Sequence, residues 1–363
     1  MKHFLQAALL VLLTLHSATT EARSRLFGSG ELTSTLTTAI TQDKRGYIWV
    51  GTEYGLNRLD GERVAQYLHD EHDSLSLMSN TIRSLYCDSE GQLWVGCLNG
   101  IQRYDERTDT FHRVRFEGTT YTPNVSEIIQ LASGEIWLLI SHLGIFTLDC
   151  EAMVARPHAH LTELCGTDRI NHFFEDAKHR IWLTTSENGI ITIDSKLEHA
   201  THYSLPHKSR NNNTAEYITE TENGVLVTVG YGLIWLFDEV HRRFIRVEQP
   251  HDVYLDVYDL LQRSNGDFLI ATFRHGLWRL NTDEHRLERY AYDQTALINS
   301  EKVNFTNLFE DREGNLWCGC FMRGALLIDA TPSPFEQWDM ATIEGLPYLS
   351  DHGAVTAIHA DAD

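Results

Sequence analysis

The feature that most constrains this chain is a segment that returns seven times. It appears first as RGYIWVGTEYGLNRLDG, Arg45 to Gly61, and again as EGQLWVGCLNGIQRYDE, Glu90 to Glu106. Further copies start at Ser133 (SGEIWLLISHLGIFTLD), Lys178 (KHRIWLTTSENGIITID), Asn223 (NGVLVTVGYGLIWLFD), Asn265 (NGDFLIATFRHGLWRLN) and Glu313 (EGNLWCGCFMRGALLID). The anchor position reads Trp49, Trp94, Trp137, Trp182, Val227, Leu269 and Trp317, at intervals of 45, 43, 45, 45, 42 and 48 residues. A period near 45 suits a four-stranded propeller blade; β-helix coils and leucine-rich repeats are shorter.

The chemistry within each copy agrees with strands. A unit opens on an alternating run such as TIRSLYCD, Thr81 to Asp88, with apolar residues on one side. A D-x-x-G turn follows: Asp43 with Gly46, Asp88 with Gly91, Asp311 with Gly314. Aspartate bonds the backbone ahead of it and glycine takes positive φ, which closes a tight hairpin. Then come the tryptophan strand, a second glycine, and two more strands. Helical repeats of similar length need apolar spacings of three and four, which are absent. The expected fold is all-β, a seven-bladed β-propeller with four-stranded antiparallel blades over residues 25–340. Radial closure buries both faces of each sheet and removes its lateral edges. The tryptophans are expected to be wedges between blades. Blades five and six lack tryptophan at the anchor but carry Trp235 and Trp278 on the next strand, as if the aromatic bulk were moved sideways.

Composition narrows the class further. With 42% hydrophobic and 22% charged residues, the chain reads as globular, and its formal charge of −21 argues against nucleic acid or anionic lipid as partner. The N-terminal MKHFLQAALLVLLTLHSATTEARS has the form of an export signal over residues 1–22: Lys2, an apolar run from Phe4 to Leu15, then Thr20 and Ala22 before the cleavage point. That run is too short to span a bilayer. Val225 to Phe237 is apolar but glycine-broken, and reads as two strands. Cys87, Cys97, Cys318 and Cys320 read as small buried hydrophobes. Cys150 and Cys165 flank a loop and are the one pair left open to bridging. The 19 histidines are scattered through turns and read as solvated. Nucleophile-elbow, zinc-protease and P-loop patterns are all missing, so no catalytic residues, cofactor or metal are expected.

The D-x-x-G-x-I/L-W-V-G-T and G-L/I-x-R-x-D motifs, with the intervening HDEHDSLSLMSNTIRSLYCD, resemble the two-component regulator propeller family from about Gly30 onward. Blades one, two and seven match best; blade three has WLLI for W-V-G-T, and blade five has no anchor tryptophan. The resemblance implies the periplasmic sensor region of a Bacteroidetes hybrid two-component system. In that family two propellers precede an immunoglobulin-like domain, a membrane helix, a histidine kinase, a receiver and a DNA-binding module. This chain would be the first part, with residues 341–363 a linker and the truncated start of a further repeat (Ala354 to Asp363). The resemblance further implies an oligosaccharide ligand and membrane attachment only through C-terminal segments not in this chain. It leaves a homodimer of the full-length protein open. A stand-alone interaction scaffold and a polysaccharide lyase or glycosidase are the alternatives. A glycosidase needs paired carboxylates, whereas the acidic loop-tip residues Glu53 and Glu187 fall in blades one and four, across the mouth.

Ligand contacts are expected on the loops joining second and third strands, which share one face with the connections between blades. These loops hold Tyr54, Asn99, His142, Asn188, Tyr231, Arg274, His275 and Arg323. Arg274 and Arg323 sit on neighbouring blades, and blade seven closes against blade one and its Tyr54. That grouping favours an acidic oligosaccharide, held by aromatic packing and guanidinium forks.

Overall fold

The computed structural model describes residues 24–330 except 62, 121–122, 207–212, 250–254 and 291–302. The expected export signal (1–22) and the linker with its further repeat start (341–363) lie outside the described residues.

The second strand of every repeat is fully buried along its length: Ile48–Thr52, Leu93–Cys97, Ile136–Ile140, Ile181–Thr185 and Leu226–Gly230, then Phe268–Phe273 (all but its last residue) and Leu316–Cys320. A strand buried on both faces reads as a continuous apolar run, and these do. Each pairs antiparallel with the strands before and after it, giving seven sheets of one design. Blade three gains a fifth, two-residue strand, Arg115–Phe116, parallel to Val154–Pro157. A seven-residue helix, Ala159–Cys165, fills the connection to blade four, where no helical pattern was legible.

Closure is made by the chain's beginning. The outer strand of blade seven is Ser24–Phe27, antiparallel to Gly324–Ile328. The sequence reading carries the propeller on to residue 340, and 331–340 lie outside the described residues. A pattern of local period cannot show that the first strand belongs to the last blade. The innermost strands touch in succession around the ring, and that of blade seven, Phe305–Glu310, meets that of blade one, Thr37–Gln42.

Apolar clusters lie between successive blades, and the tryptophans are inside them. Trp49 packs with Leu77, Ile82 and Val95 of blade two; Trp182 packs with Ile218 and Phe244 of blade five. Trp49, Trp94, Trp137 and Trp182 are 0% exposed. Trp235 and Trp278 are buried too, but on the other side of their sheets. Trp235 lies opposite Thr228, the neighbour of anchor Val227, so strand alternation turns it back toward blade four. The aromatic bulk thus moves to the next strand and also changes face.

Six residues before the anchor, the turn aspartate fastens its tryptophan. Asp43, Asp88, Asp176 and Asp311 each accept the indole N–H at 2.8 Å through Oδ2. Their Oδ1 atoms accept the backbone N–H groups two and four residues on. One carboxylate therefore closes the turn and fixes the wedge. Blades three, five and six have Leu131, Thr221 and Arg263 at that position. Among the described residues, the indole N–H of Trp137 lacks a partner. All six cysteines are free thiols, Cys150 and Cys165 included.

Candidate functional site

All eight expected residues lie in loops between second and third strands, as the strand bounds show. Their environments differ. Tyr54 is 57% exposed. His142, Asn188, Arg274 and Arg323 are exposed, while His275 is half-buried. Asn99 is turned inward, its Nδ2 donating to the Met78 carbonyl at 3.2 Å. The Tyr231 hydroxyl accepts from the Thr214 N–H at 3.2 Å. His142, Tyr231 and Arg274 hold φ of 64°, 58° and 73°. Non-glycine residues in that region carry strain of about 1 kcal/mol or more, so these tips are held by their surroundings. The acidic tips are neutralised locally: Glu53 pairs with Arg83 and Glu187 with Arg169.

Arg274 is the expected residue that the structure ties to a larger feature. Its guanidinium lies 5.6 Å from the ring centre of Phe273. Phe273 stacks on Tyr258 at 5.5 Å and meets Phe321 edge-on at 5.4 Å. Tyr258 and Phe321 are 41% and 40% exposed. The three rings form a continuous aromatic run across blades six and seven, beside which only Arg274 was anticipated.

Beside this run the mouth opens over blades four to six into a cavity of about 540 Å³, with Asn171, Ser186, Glu216, Tyr217, Asp256 and Tyr258 on its wall. Burial raises the Glu216 carboxyl above its ordinary range, helped by Asp256. A concavity of about 360 Å³ on the opposite face, between blades one and two, is walled by turn residues such as Asp43 and Glu106. Those carboxylates are already committed, to Trp49 and to Arg45.

Deeper on the axis, a cavity of about 120 Å³ is lined by Glu127, His172, Tyr217 and Asp259. Tyr217 lines both this cavity and the mouth. These four come from one position of the repeat, ten residues before the anchor, which reads Ala39, Ser84, Glu127, His172, Tyr217, Asp259 and Asn307 around the ring. In six blades the innermost strand bulges just before it, for example between Val125 and Glu127 or Val257 and Asp259. A bulge re-aims the following side chain. Glu127 Oε1 lies 3.2 Å from His172 Nε2. Each carboxyl also accepts backbone N–H groups: Glu127 from Phe173 at 3.4 Å, Asp259 from Leu308 and from its neighbour Leu260, both at 2.8 Å. Burial nonetheless pushes Glu127 up to about 8 and Asp259 up to about 6, and drives His172 down to about 4. The Tyr217 phenol is also raised by burial and by the carboxyls around it. Sequence reading missed this set because its members are far apart and of different types. Aligning the copies on their anchors would have exposed it.

The two component regulator propeller family model matches residues 31–54 and 76–99. Those two stretches, in blades one and two, are similar to two-component regulator propeller repeats. No curated protein matches it in sequence. The extracellular domain of the hybrid two component system BT3049 from B. thetaiotaomicron is similar at 19% identity and TM-score 0.71, over 86% of this chain and 42% of that one. The corresponding domain of BT4673 gives 20% identity and TM-score 0.70, over 88% and 44%. The chain thus spans under half the length of these relatives. Virginiamycin B lyase from Staphylococcus aureus shares the architecture at 14% identity and TM-score 0.65, over 86% of this chain and all of that one. Among the described residues no helix is long and apolar enough to cross a membrane.

Proposed function

We propose that this chain is a periplasmic ligand-sensing propeller of a hybrid two-component sensor, and that it recognises an oligosaccharide. The regulator-propeller repeats and the shared architecture with extracellular sensor domains support the sensor reading. The observation that carries the ligand class is the run Tyr258–Phe273–Phe321 with Arg274 laid against it, at the edge of a cavity. Sugar rings present C–H faces to aromatic rings, and guanidinium groups fork onto hydroxyls or carboxylates. Arg274 and Arg323 favour an acidic sugar unit at this rim.

Calorimetric titration with neutral and acidic oligosaccharides tests this. Acidic saccharides should bind more tightly, and Tyr258→Ala, Phe321→Ala and Arg274→Ala should each weaken them by about tenfold or more. Affinity unchanged in all three variants removes the site. Absence of binding defeats the ligand reading in favour of an interaction scaffold, and appearance of cleaved product favours a lyase or glycosidase.

A further inference from the structure

We propose that the axial cavity bounded by Glu127, His172, Tyr217 and Asp259 is a subsite for a primary ammonium group. This goes beyond the saccharide reading, since an amine with no sugar attached is enough to test it. The wall of the cavity carries two carboxyls and neither lysine nor arginine. Two carboxyls repel an anion, and a wholly apolar group would strand them. No trio of His, Cys, Asp or Glu among the described residues is arranged to hold a metal ion. An ammonium supplies three N–H donors in a compact head for the acceptors of Glu127, His172 and Asp259, while Ile129, Phe173, Phe174, Ile218 and Leu260 on the same wall suit its short alkyl stem. His172 Nδ1 is buried and has no partner among the described residues. A volume of about 120 Å³ admits an aminomethyl group but not a sugar ring with its hydroxyls.

In the empty cavity Glu127 avoids a second negative charge beside Asp259 by keeping its proton. With Glu127 held up and His172 held down, at neutral pH the Glu127 carboxyl keeps its proton 3.2 Å from Nε2 of a neutral imidazole, and in our proposal the imidazole proton sits on Nδ1. When an ammonium enters, the Glu127 proton passes to Nε2 and the Nδ1 proton leaves to solvent. Glu127 becomes a carboxylate accepting from Nε2–H, and Nδ1 becomes an acceptor for the ammonium. One positive charge arrives and one departs, so the buried charge is balanced. The other ionisable groups facing the cavity are Asp259 and Tyr217, with Glu216 at its entrance.

The test is calorimetry of the whole chain at pH 7 with ethylammonium and propylammonium, set against potassium and N-ethylacetamide at matched ionic strength, in phosphate and in HEPES. We expect saturable binding of both amines, none of N-ethylacetamide, and an enthalpy difference between buffers that reports about one proton released per site. Glu127→Gln and Asp259→Asn should each weaken ethylammonium by more than about tenfold. Tyr258→Ala should leave ethylammonium binding unchanged even where it abolishes saccharide binding, so the two proposals fail separately. The inference is overturned if ethylammonium does not bind, if potassium displaces it equally well, or if both variants bind it normally. Should a variant fail to fold, the amine discrimination and proton count of the unaltered chain decide alone.

Discussion

Blades seven, one and two differ from blades three to six at the same two positions of the repeat. Six residues before the anchor, the first group has Asp311, Asp43 and Asp88, each bonded to its tryptophan. Ten residues before it, that group has Asn307, Ala39 and Ser84. The second group reads Leu131, Asp176, Thr221 and Arg263 at the first position, and Glu127, His172, Tyr217 and Asp259 at the second. Blade four alone has both the aspartate fastening and a titratable axial residue. Buried Arg263 builds a substitute fastening, bonding Glu310, the Gly314 carbonyl and the Tyr290 hydroxyl. The half of the ring in which every blade has the turn aspartate holds the closure and a quiet axis. The other half surrounds both axial cavities. Burying four ionisable side chains destabilises a sheet, and perturbed groups gathered at a cavity mark a candidate functional site.

The largest effect that can test this contrast is loss of a wedge. Trp94→Ala should destabilise the chain by about 3–5 kcal/mol, because the side chain is fully buried between two blades. Conversion to phenylalanine separates wedge from fastening. Trp94→Phe leaves Asp88 Oδ2 without its donor and should cost about 1–3 kcal/mol. Trp137→Phe loses no hydrogen bond and should cost under about 1 kcal/mol beyond its smaller volume. Equal costs in chemical denaturation would show that the aspartate fastening does not distinguish the two halves.

A smaller effect concerns the glycine of the W-V-G-T motif. A Cβ at Gly51 would come within 2.6 Å of the Ile82 side chain in blade two, and one at Gly319 would strike Asn307. Blade six has Ala271 at this position and blade three Leu139, opposite Asp259 and Glu127. Gly51→Ala should therefore destabilise by about 1–3 kcal/mol through overpacking, measured as a shift in denaturation midpoint. A neutral result would mean that the quiet half is not packed more tightly.

This also marks what could be read from sequence. Repeat number, strand count and wedge role follow from period and alternation, which are local. The eight loop residues follow from the same count, since each loop sits at a fixed offset from its anchor. The outer strand Ser24–Phe27, the changed face of Trp235, and the rings Tyr258 and Phe321 do not, because each depends on which blade comes to lie beside which. Motif searching also discards what varies between copies, and the axial set varies at every position.

The smallest predicted effect isolates the axial pair by pH. Glu127 is raised from the ordinary carboxylate range to about 8, so the folded chain holds a proton there that the unfolded chain does not. Stability from this group is present at low pH and lost as pH rises toward 8. His172, lowered to about 4, has the opposite sign, but its contribution is complete once pH passes the ordinary imidazole value near 6.5. Asp259, raised to about 6, has finished most of its change by then, and Tyr217 titrates far above. Between about pH 6.5 and 8 Glu127 is therefore the member of the cluster still titrating, and wild-type stability should fall by about 1–2 kcal/mol. In Glu127→Gln that decline should vanish, whereas in Ser84→Ala, at the same repeat position in the quiet half, it should persist. Urea denaturation at half-unit pH steps reads both. A decline of the same size in Glu127→Gln would place the proton elsewhere and leave the axis of blades three to six as quiet as that of blades seven, one and two.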